Sequence, residues 1–339
     1  MGTKLRQSNI ELLRIISMLM ILMVHFTGAT FPLPPKATLT HFCDINSIAK
    51  ILMESFSIIG VNCFVLISGY FGIKPSVKGV VNFILWCAFY SVVIYAIYTI
   101  AKPTQYNILD LIESFGIFSH TDLWFIPAYF ALYIIAPIIN KGIADLKAKP
   151  FILLLCGLTF INVYLGWGWS HKINPTGYNV MQLIYIYIIG RFLKVHISRY
   201  RNIKHWYIVG YFASFLLITL STLFCKSTMA FAYNSPFVIS ASIFFFLIFT
   251  SFRFYSPNIN FIASSAFAVY LIHKMPPIWN DLKNLLIDNT KNADPFTFTL
   301  FWVLFIALIF SSCITIDKFR ELVTKPLSHF ITKQIKRII

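Results

Sequence analysis

The chain alternates between long apolar runs and short polar breaks. About ten runs approach the roughly twenty residues that a helix needs to cross a hydrocarbon core. They cover 10–31, 46–72, 80–101, 121–139, 151–169, 178–194, 206–224, 236–252, 260–276 and 296–316. The breaks carry helix-ending punctuation: PLPPK (32–36), IKPSVK (73–78), KAKP (147–150), KINPTG (172–177), YSPN (255–258) and NADP (292–295). The pattern predicts an all-α, polytopic transmembrane bundle of about ten helices that occupies residues 1–339 as a single domain, with no internal repeat. Within the first run, IELLRIISMLMILMVHF (10–26), three polar side chains interrupt the apolar surface: Glu11, Arg14 and His25.

Composition strengthens the membrane reading. With 58% hydrophobic and 12% charged residues and a mean hydropathy of +0.74, 339 residues cannot hide their apolar surface in one ordinary soluble core. The net charge of +16 does not point to nucleic acid, because the cations sit between apolar runs and form no nucleic-acid motif. It reads as topogenic and directed at membrane lipids. The six cysteines are scattered singly, with no metal-ligand spacing. The first run is too long for a secretory signal, contains Arg14 and His25, and lacks a small-residue cleavage pattern, so it is expected to stay as the first span. With that end inside, twenty of the 28 Lys and Arg residues fall on one side and eight on the other, which predicts that both termini are cytoplasmic. The densest basic block, RFLKVHISRYRNIKH (191–205), becomes an inner loop.

The intramembrane polar groups then sort by depth. His25 lies eleven positions after Arg14, three turns plus about 20° and a rise of about 16 Å, so the two share one face at two levels. Glu11 lies within reach of Arg14. Glu54, His120, Trp124 and His273 fall near the outer ends of other helices, level with His25. The inner half holds Arg14, the Ser68, Gly69, Tyr70 turn, Lys74 and Lys78. Ionisable groups at such depth normally face the protein interior or a wet cavity. An acid–base set above a cationic set suits an anionic donor arriving from the cytoplasm and an acceptor hydroxyl activated further out.

Four segments, in order along the chain, carry a resemblance. Arg14, ten residues and His25 resemble the R/K-x10-H signature of the acyltransferase 3 membrane family. GVNCFVLISGYF (60–71), HTDLWFIPAYFALYIIAPIIN (120–140) and SSAFAVYLIHKMPPI (264–278) are similar to three further family segments. The resemblance is to the ten-span type without a fused extracytoplasmic domain. It implies a membrane O-acyltransferase acting on carbohydrates, with acetyl-CoA or another acyl-CoA as donor substrate and no tightly bound cofactor or metal. It makes His25 the catalytic histidine and Arg14 its partner, puts Ser68 and Tyr70 in the SGY motif, and sets Trp124 and His273, beside Tyr270, at later signatures. Many family members carry an Arg-x-x-Arg pair after SGY; here only Lys74 and Lys78 follow, point charges without the bidentate fork.

The expected activity is acetyl transfer to a sugar hydroxyl of a cell-surface or lipid-linked polysaccharide, in a bacterial-type cytoplasmic membrane. His25 serves as general base or as nucleophile, and Glu54 orients the imidazole. Arg14, Ser68, Tyr70, Lys74 and Lys78 meet the donor; His120, Trp124, Tyr270 and His273 meet the acceptor. Two other classes stay open on the residues alone: a lipid-linked glycan flippase or transporter, and a glycan polymerase. A zinc site from His25, His120 and His273 is disfavoured, because no two histidines share a helical i,i+4 face.

Overall fold

The computed structural model describes residues 6–30, 45–119, 123–170, 173–197, 204–224, 228–290 and 295–338. It is 84% helical and contains no strand among the described residues. In chain order the helices are α1 (Ser8–Thr30), α2 (Ile45–Ser57), α3 (Gly60–Phe71), α4 (Val77–Ala101), α5 (Ile108–Glu113) and α6 (Phe125–Ile143). There follow α7 (Ala148–Thr159), which widens into π-type turns over Phe160–Ser170, and α8 (Val180–Phe192), which does the same over Leu193–Ile197. Then come α9 (Lys204–Phe224), α10 (Pro236–Thr250), α11 (Pro257–Ala263), α12 (Ala266–His273), α13 (Pro276–Thr290) and α14 (Pro295–Ile338).

Among the described residues, nine helical stretches are long and apolar enough to cross a membrane. Two of the expected spans are interrupted. The second is α2 and α3 joined by a turn at Ile58 and Ile59, and the ninth, expected over 260–276, is the short pair α11 and α12 with a turn at Ser264 and Ser265. Serine hydroxyls compete with the ladder for backbone groups, and here Ser264 Oγ also takes a hydrogen bond from Lys318 Nζ at 2.7 Å. The stretches expected as outer loops contain α5 and α13, and α14 continues well past residue 316.

The chain divides into two compact units, Met1–Ile73 with Ala128–Ala263, and Lys74–Pro127 with Ser264–Ile339. In the first unit α3 is central, packing on α1, α8 and α10. Its contact with α8 is a crossing of two glycines. A Cβ on Gly69 would run into the Tyr187 carbonyl, and one on Gly190 would come within 2.7 Å of the Leu66 carbonyl and 2.9 Å of the Tyr70 nitrogen. In lipid, where apolar side chains gain little from leaving their surroundings, such close backbone approach is a main source of helix association.

Six carboxamides, five buried and Asn179 half-buried, join the other elements of this unit. Asn62 Nδ2 and Gln182 Nε2 both donate to the Tyr233 carbonyl, at 2.9 and 2.7 Å. Asn162 Nδ2 donates to Gln182 Oε1 at 2.8 Å, and Asn174 Nδ2 donates to Asn162 Oδ1. Asn174 Oδ1 in turn accepts from Gly177 N (2.9 Å) and Asn179 Nδ2 (2.7 Å), while Asn234 Nδ2 donates to the Asn162 and Asn174 carbonyls. Asn62 lies past the midpoint of the span Ile48–Phe71, so irregular backbone at 174–179 and 232–235 is held at membrane depth. Such backbone is tolerated there only when protein groups satisfy it. At Gly177 the chain needs a left-handed φ of 83°, and a Cβ would strike Tyr233.

The second unit is organised by α14. Asp317, fully buried, accepts at Oδ1 from Arg320 Nε (2.6 Å), Tyr90 OH (2.8 Å) and Trp86 Nε1 (2.9 Å), and the Arg320 guanidinium lies 4.7 Å from the Trp86 ring centroid. Beyond it, Arg320, Thr324, Ser328 and Thr332 are buried at i,i+4 spacing, while Phe319, Leu322, Val323, Leu327 and Phe330 point outward. Ser328 hydrogen-bonds Asn82 of α4. At the other end of α4, Lys102 Nζ grips both carboxylate oxygens of Asp281 on α13, at 2.6 and 2.8 Å, and Tyr98 OH donates to the same group at 2.6 Å. Burial alone would raise the Asp281 pKa; the bonds from Lys102 and Tyr98 and the Lys102 charge outweigh it and hold the carboxyl below its usual range.

Gly190→Val should force α3 and α8 apart, at a cost of about 1–3 kcal/mol or more for overpacking. A thermal melt of the detergent-purified variant is expected to fall by several degrees; an unchanged melt would show that the crossing is looser than the structure has it.

Candidate active site

The rotation of α1 is set at its base. Asn9 Nδ2 donates to the Phe249 carbonyl at the end of α10 (2.8 Å), while Ser8 Oγ accepts from Ser256 N (2.9 Å) and donates to Asn260 Oδ1 (3.0 Å). Asn9 thereby fills one of the orphan carbonyls that every helix end leaves. With α1 so fixed, the residues between Arg14 and His25 on their shared face, Met18, Ile21 and Leu22, are all buried. The face points into the first unit. Arg14 and His25 are themselves half-buried, neither sealed in nor free.

At the lower level, Arg14 Nη1 is 3.7 Å from Glu11 Oε2, and the guanidinium lies 5.9 Å from the Phe64 ring centroid. Its charge also reaches Tyr129 of α6. The Tyr129 hydroxyl meets Ser68 Oγ at 3.0 Å. Arg14 and Ser68, assigned to the donor from sequence, are therefore gathered round one tyrosine that the sequence reading did not single out.

Each letter of SGY has a physical role. Ser68 bonds Tyr129, Gly69 permits the α8 crossing, and Tyr70 is buried with its ring 4.5 Å from Lys194 Nζ. The exit from α3 is clamped as well. Asn140 Nδ2 donates to the Ile73 carbonyl (2.9 Å), Tyr187 OH donates to Asn140 Oδ1 (2.8 Å), and Ile73 N donates to Tyr187 OH (2.9 Å). The Asn that closes the 120–140 segment thus holds the end of the SGY helix.

At the upper level, Glu54 sits one turn before the break between α2 and α3. It is buried, and its Oε2 has no hydrogen-bond partner among the described residues. Lys50, one turn earlier, acts on it electrostatically. Glu54 also acts on Tyr178 in the loop before α8. The Tyr178 hydroxyl hydrogen-bonds with Tyr233. Sequence reasoning passed over Tyr178, which lies beside the KINPTG break and looks like an interfacial aromatic.

The other expected site residues belong to the second unit. Lys74 and Lys78 are exposed, beside and within the first turn of α4. Trp124 is half-buried, edge-on to Phe125 at 5.8 Å. Tyr270 is buried among Phe125 and Phe267, with ring centroids at 5.9 and 6.2 Å, and His273 is fully buried with Nδ1 against the Val269 carbonyl of its own helix. That histidine presents packing rather than an open ring. His120 lies outside the described residues. Among the described residues no three His, Cys, Asp or Glu side chains gather as a metal ion would require.

Helices of spanning length, tied together by carboxamides and close glycines, with Arg14 and His25 on the inward face of α1, define a multi-pass integral membrane protein. A family model described as an acyltransferase domain, that of acyltransferase 3, matches residues 7–317. The chain belongs to that family and is a membrane acyltransferase. No curated protein and no solved structure matches it.

The Ser68–Tyr129 contact is testable by a double-mutant cycle. Ser68→Ala and Tyr129→Phe should each destabilise by about 1 kcal/mol, and the double variant by little more than one alone; additive losses would mean that the two hydroxyls do not bond.

Proposed function

We propose that the protein transfers an acyl group, acetyl from acetyl-CoA, to a hydroxyl of a cell-surface or lipid-linked polysaccharide at a bacterial-type cytoplasmic membrane. The observation that carries this reading is the inward face of α1, which presents Arg14 and His25 about 16 Å apart along one helix. Chemistry that joins a cytoplasmic anion to an acceptor further out needs a group at each level.

In this mechanism the His25 imidazole removes the proton of the acceptor hydroxyl, and the oxygen attacks the thioester carbonyl. The tetrahedral oxyanion collapses, the carbon–sulfur bond breaks, and the coenzyme A thiolate takes its proton from the imidazolium. Glu54 has a free, buried oxygen suited to hold either the imidazole N–H or a sugar hydroxyl. Arg14 offsets negative charge on the donor side, with Ser68, Tyr70, Lys74 and Lys78 as further donor contacts. Trp124, Tyr270, His273 and His120 are assigned to the acceptor by resemblance. A second reading, passage of a lipid-linked glycan without chemistry, draws on the helix breaks at 58–59 and 264–265, a feature of transporter sites.

Labelled acetyl-CoA, supplied to membranes of a host that makes the native polysaccharide, separates the two. Ester label in glycan is expected with the wild type, and its absence beside protein-dependent export of glycan would favour passage. His25→Ala should lower transfer on the order of 10²-fold or more with the protein still in the membrane; retained activity removes His25 from the reaction. Arg14→Lys keeps the charge but loses the fork, and a drop on the order of 10²-fold marks directional bonding to the donor.

A further inference from the structure

The first unit contains a cavity of ≈ 100 Å³ where α8 and α10 end and α1 begins. This is well above the size at which a cavity admits water. Its polar lining includes Gln7, Tyr70, Lys194, Tyr207, Thr250 and Arg253, and among the described residues no carboxylate lines it. Lys194 and Arg253 have no acidic partner among the described residues. The Thr250 and Ser251 hydroxyl protons go to the Leu247 and Ile248 carbonyls, at 2.9 and 2.7 Å. Beside the Gln7 amide and the Tyr70 and Tyr207 hydroxyls, the cavity is thus lined by an ammonium and a guanidinium. Tyr70 holds the ammonium over its ring at 4.5 Å, a contact that orients a cation without neutralising it.

We infer that this cavity binds the phosphate-bearing end of the donor, with Arg253 supplying the planar fork and Lys194 the point charge. The inference rests on the acyl-CoA reading and relocates part of the donor site. Lys74 and Lys78, on the second unit, lack the fork; the cavity has one, next to the tyrosine of SGY. Lys194 is half-buried beside the apolar walls Leu193 and Leu247, so its charge attracts an anion more strongly than it would in open water, and exposed Arg253 adds the charge-assisted fork. A lipid phosphate offers the same chemistry, so the test must tell the two sources apart.

The experiment uses purified full-length protein in nanodiscs of zwitterionic lipid, assayed for transfer from acetyl-CoA and from acetyl-pantetheine, which lacks the nucleotide phosphates. Lys194→Ala and Arg253→Ala should each raise KM for acetyl-CoA about tenfold or more with little change in kcat, and leave KM for acetyl-pantetheine unchanged. Arg253→Lys should recover part of the loss. Exposed Lys149→Ala controls for general charge, and an unchanged melting temperature confirms folding. If the wild type transfers acetyl and both alanine variants keep its KM for acetyl-CoA, the cavity assignment falls while the acyl-CoA reading stands. An effect of the variants that follows the anionic lipid content of the nanodisc, and not the donor's phosphates, also overturns it. If the wild type neither transfers acetyl nor binds coenzyme A in a direct titration, the donor reading falls and takes the cavity assignment with it.

Discussion

Irregular backbone inside a membrane must be hydrogen-bonded by protein, and that requirement shapes the first unit. The segments 174–179 and 232–235 leave helical geometry at the depth of Asn62, where lipid offers their N–H and C=O groups no partner. Asn62, Asn162, Asn174, Asn179, Gln182 and Asn234 answer this by bonding to one another and to the Tyr233, Asn162 and Asn174 carbonyls. Amides suit the task because each both donates and accepts, so a linked set forms without importing charge, with Asn234 Oδ1 left without a partner among the described residues. Removing one member would strand its neighbours, each at a cost of about 1–3 kcal/mol.

The position of the candidate catalytic groups follows from that network. Asn62 and Gln182 tie α3 to α8, the glycine crossing at Gly69 and Gly190 lets the same two helices touch, and α1 packs against α3 through its own close approach. There Gly60 would place a Cβ 2.7 Å from the Ser17 carbonyl. Arg14, Ser68 and Tyr70 are carried on helices whose spacing is set by backbone, not by adaptable side chains. Such placement gives a reaction site the positional precision it needs.

How far the sequence disclosed this depends on the kind of signal. Spans were legible because hydrocarbon demands long apolar runs, and the inward face of α1 was legible because arginine and histidine are costly toward lipid. The breaks at 58–59 and 264–265 were not, since Ile58 and Ile59 are as apolar as their neighbours and a serine pair is common in membrane helices. The carboxamides left a faint trace as lone Asn and Gln residues within or beside apolar runs, but no periodicity linked residue 62 to 182 or 234. Lys194 and Arg253 were hidden differently: they read as positive-inside determinants, and only the folded chain reveals that they share a cavity with Tyr70. At His273 the motif gave the position in the chain, and the fold adds that the side chain is buried with Nδ1 against the Val269 carbonyl.

The inverted second half of α14 bears on the lipid around the protein. Its outward apolar side chains run from Leu300 to Phe330, about 45 Å of helix at 1.5 Å per residue. A hydrocarbon core is only about 30 Å thick. An upright helix would push that stripe into water, while Arg320, Thr324, Ser328 and Thr332 could not turn outward without losing Asp317 and Asn82. Exposed Lys325 and His329 interrupt the stripe near its end and Pro326 offers a bend, so the mismatch is relieved by tilt, by kinking at Pro326 or by local thickening of the bilayer, each at a cost that grows with every ångström of difference. Membrane thickness, and with it acyl-chain length and sterol or lipid composition, becomes a mechanical load on the second unit.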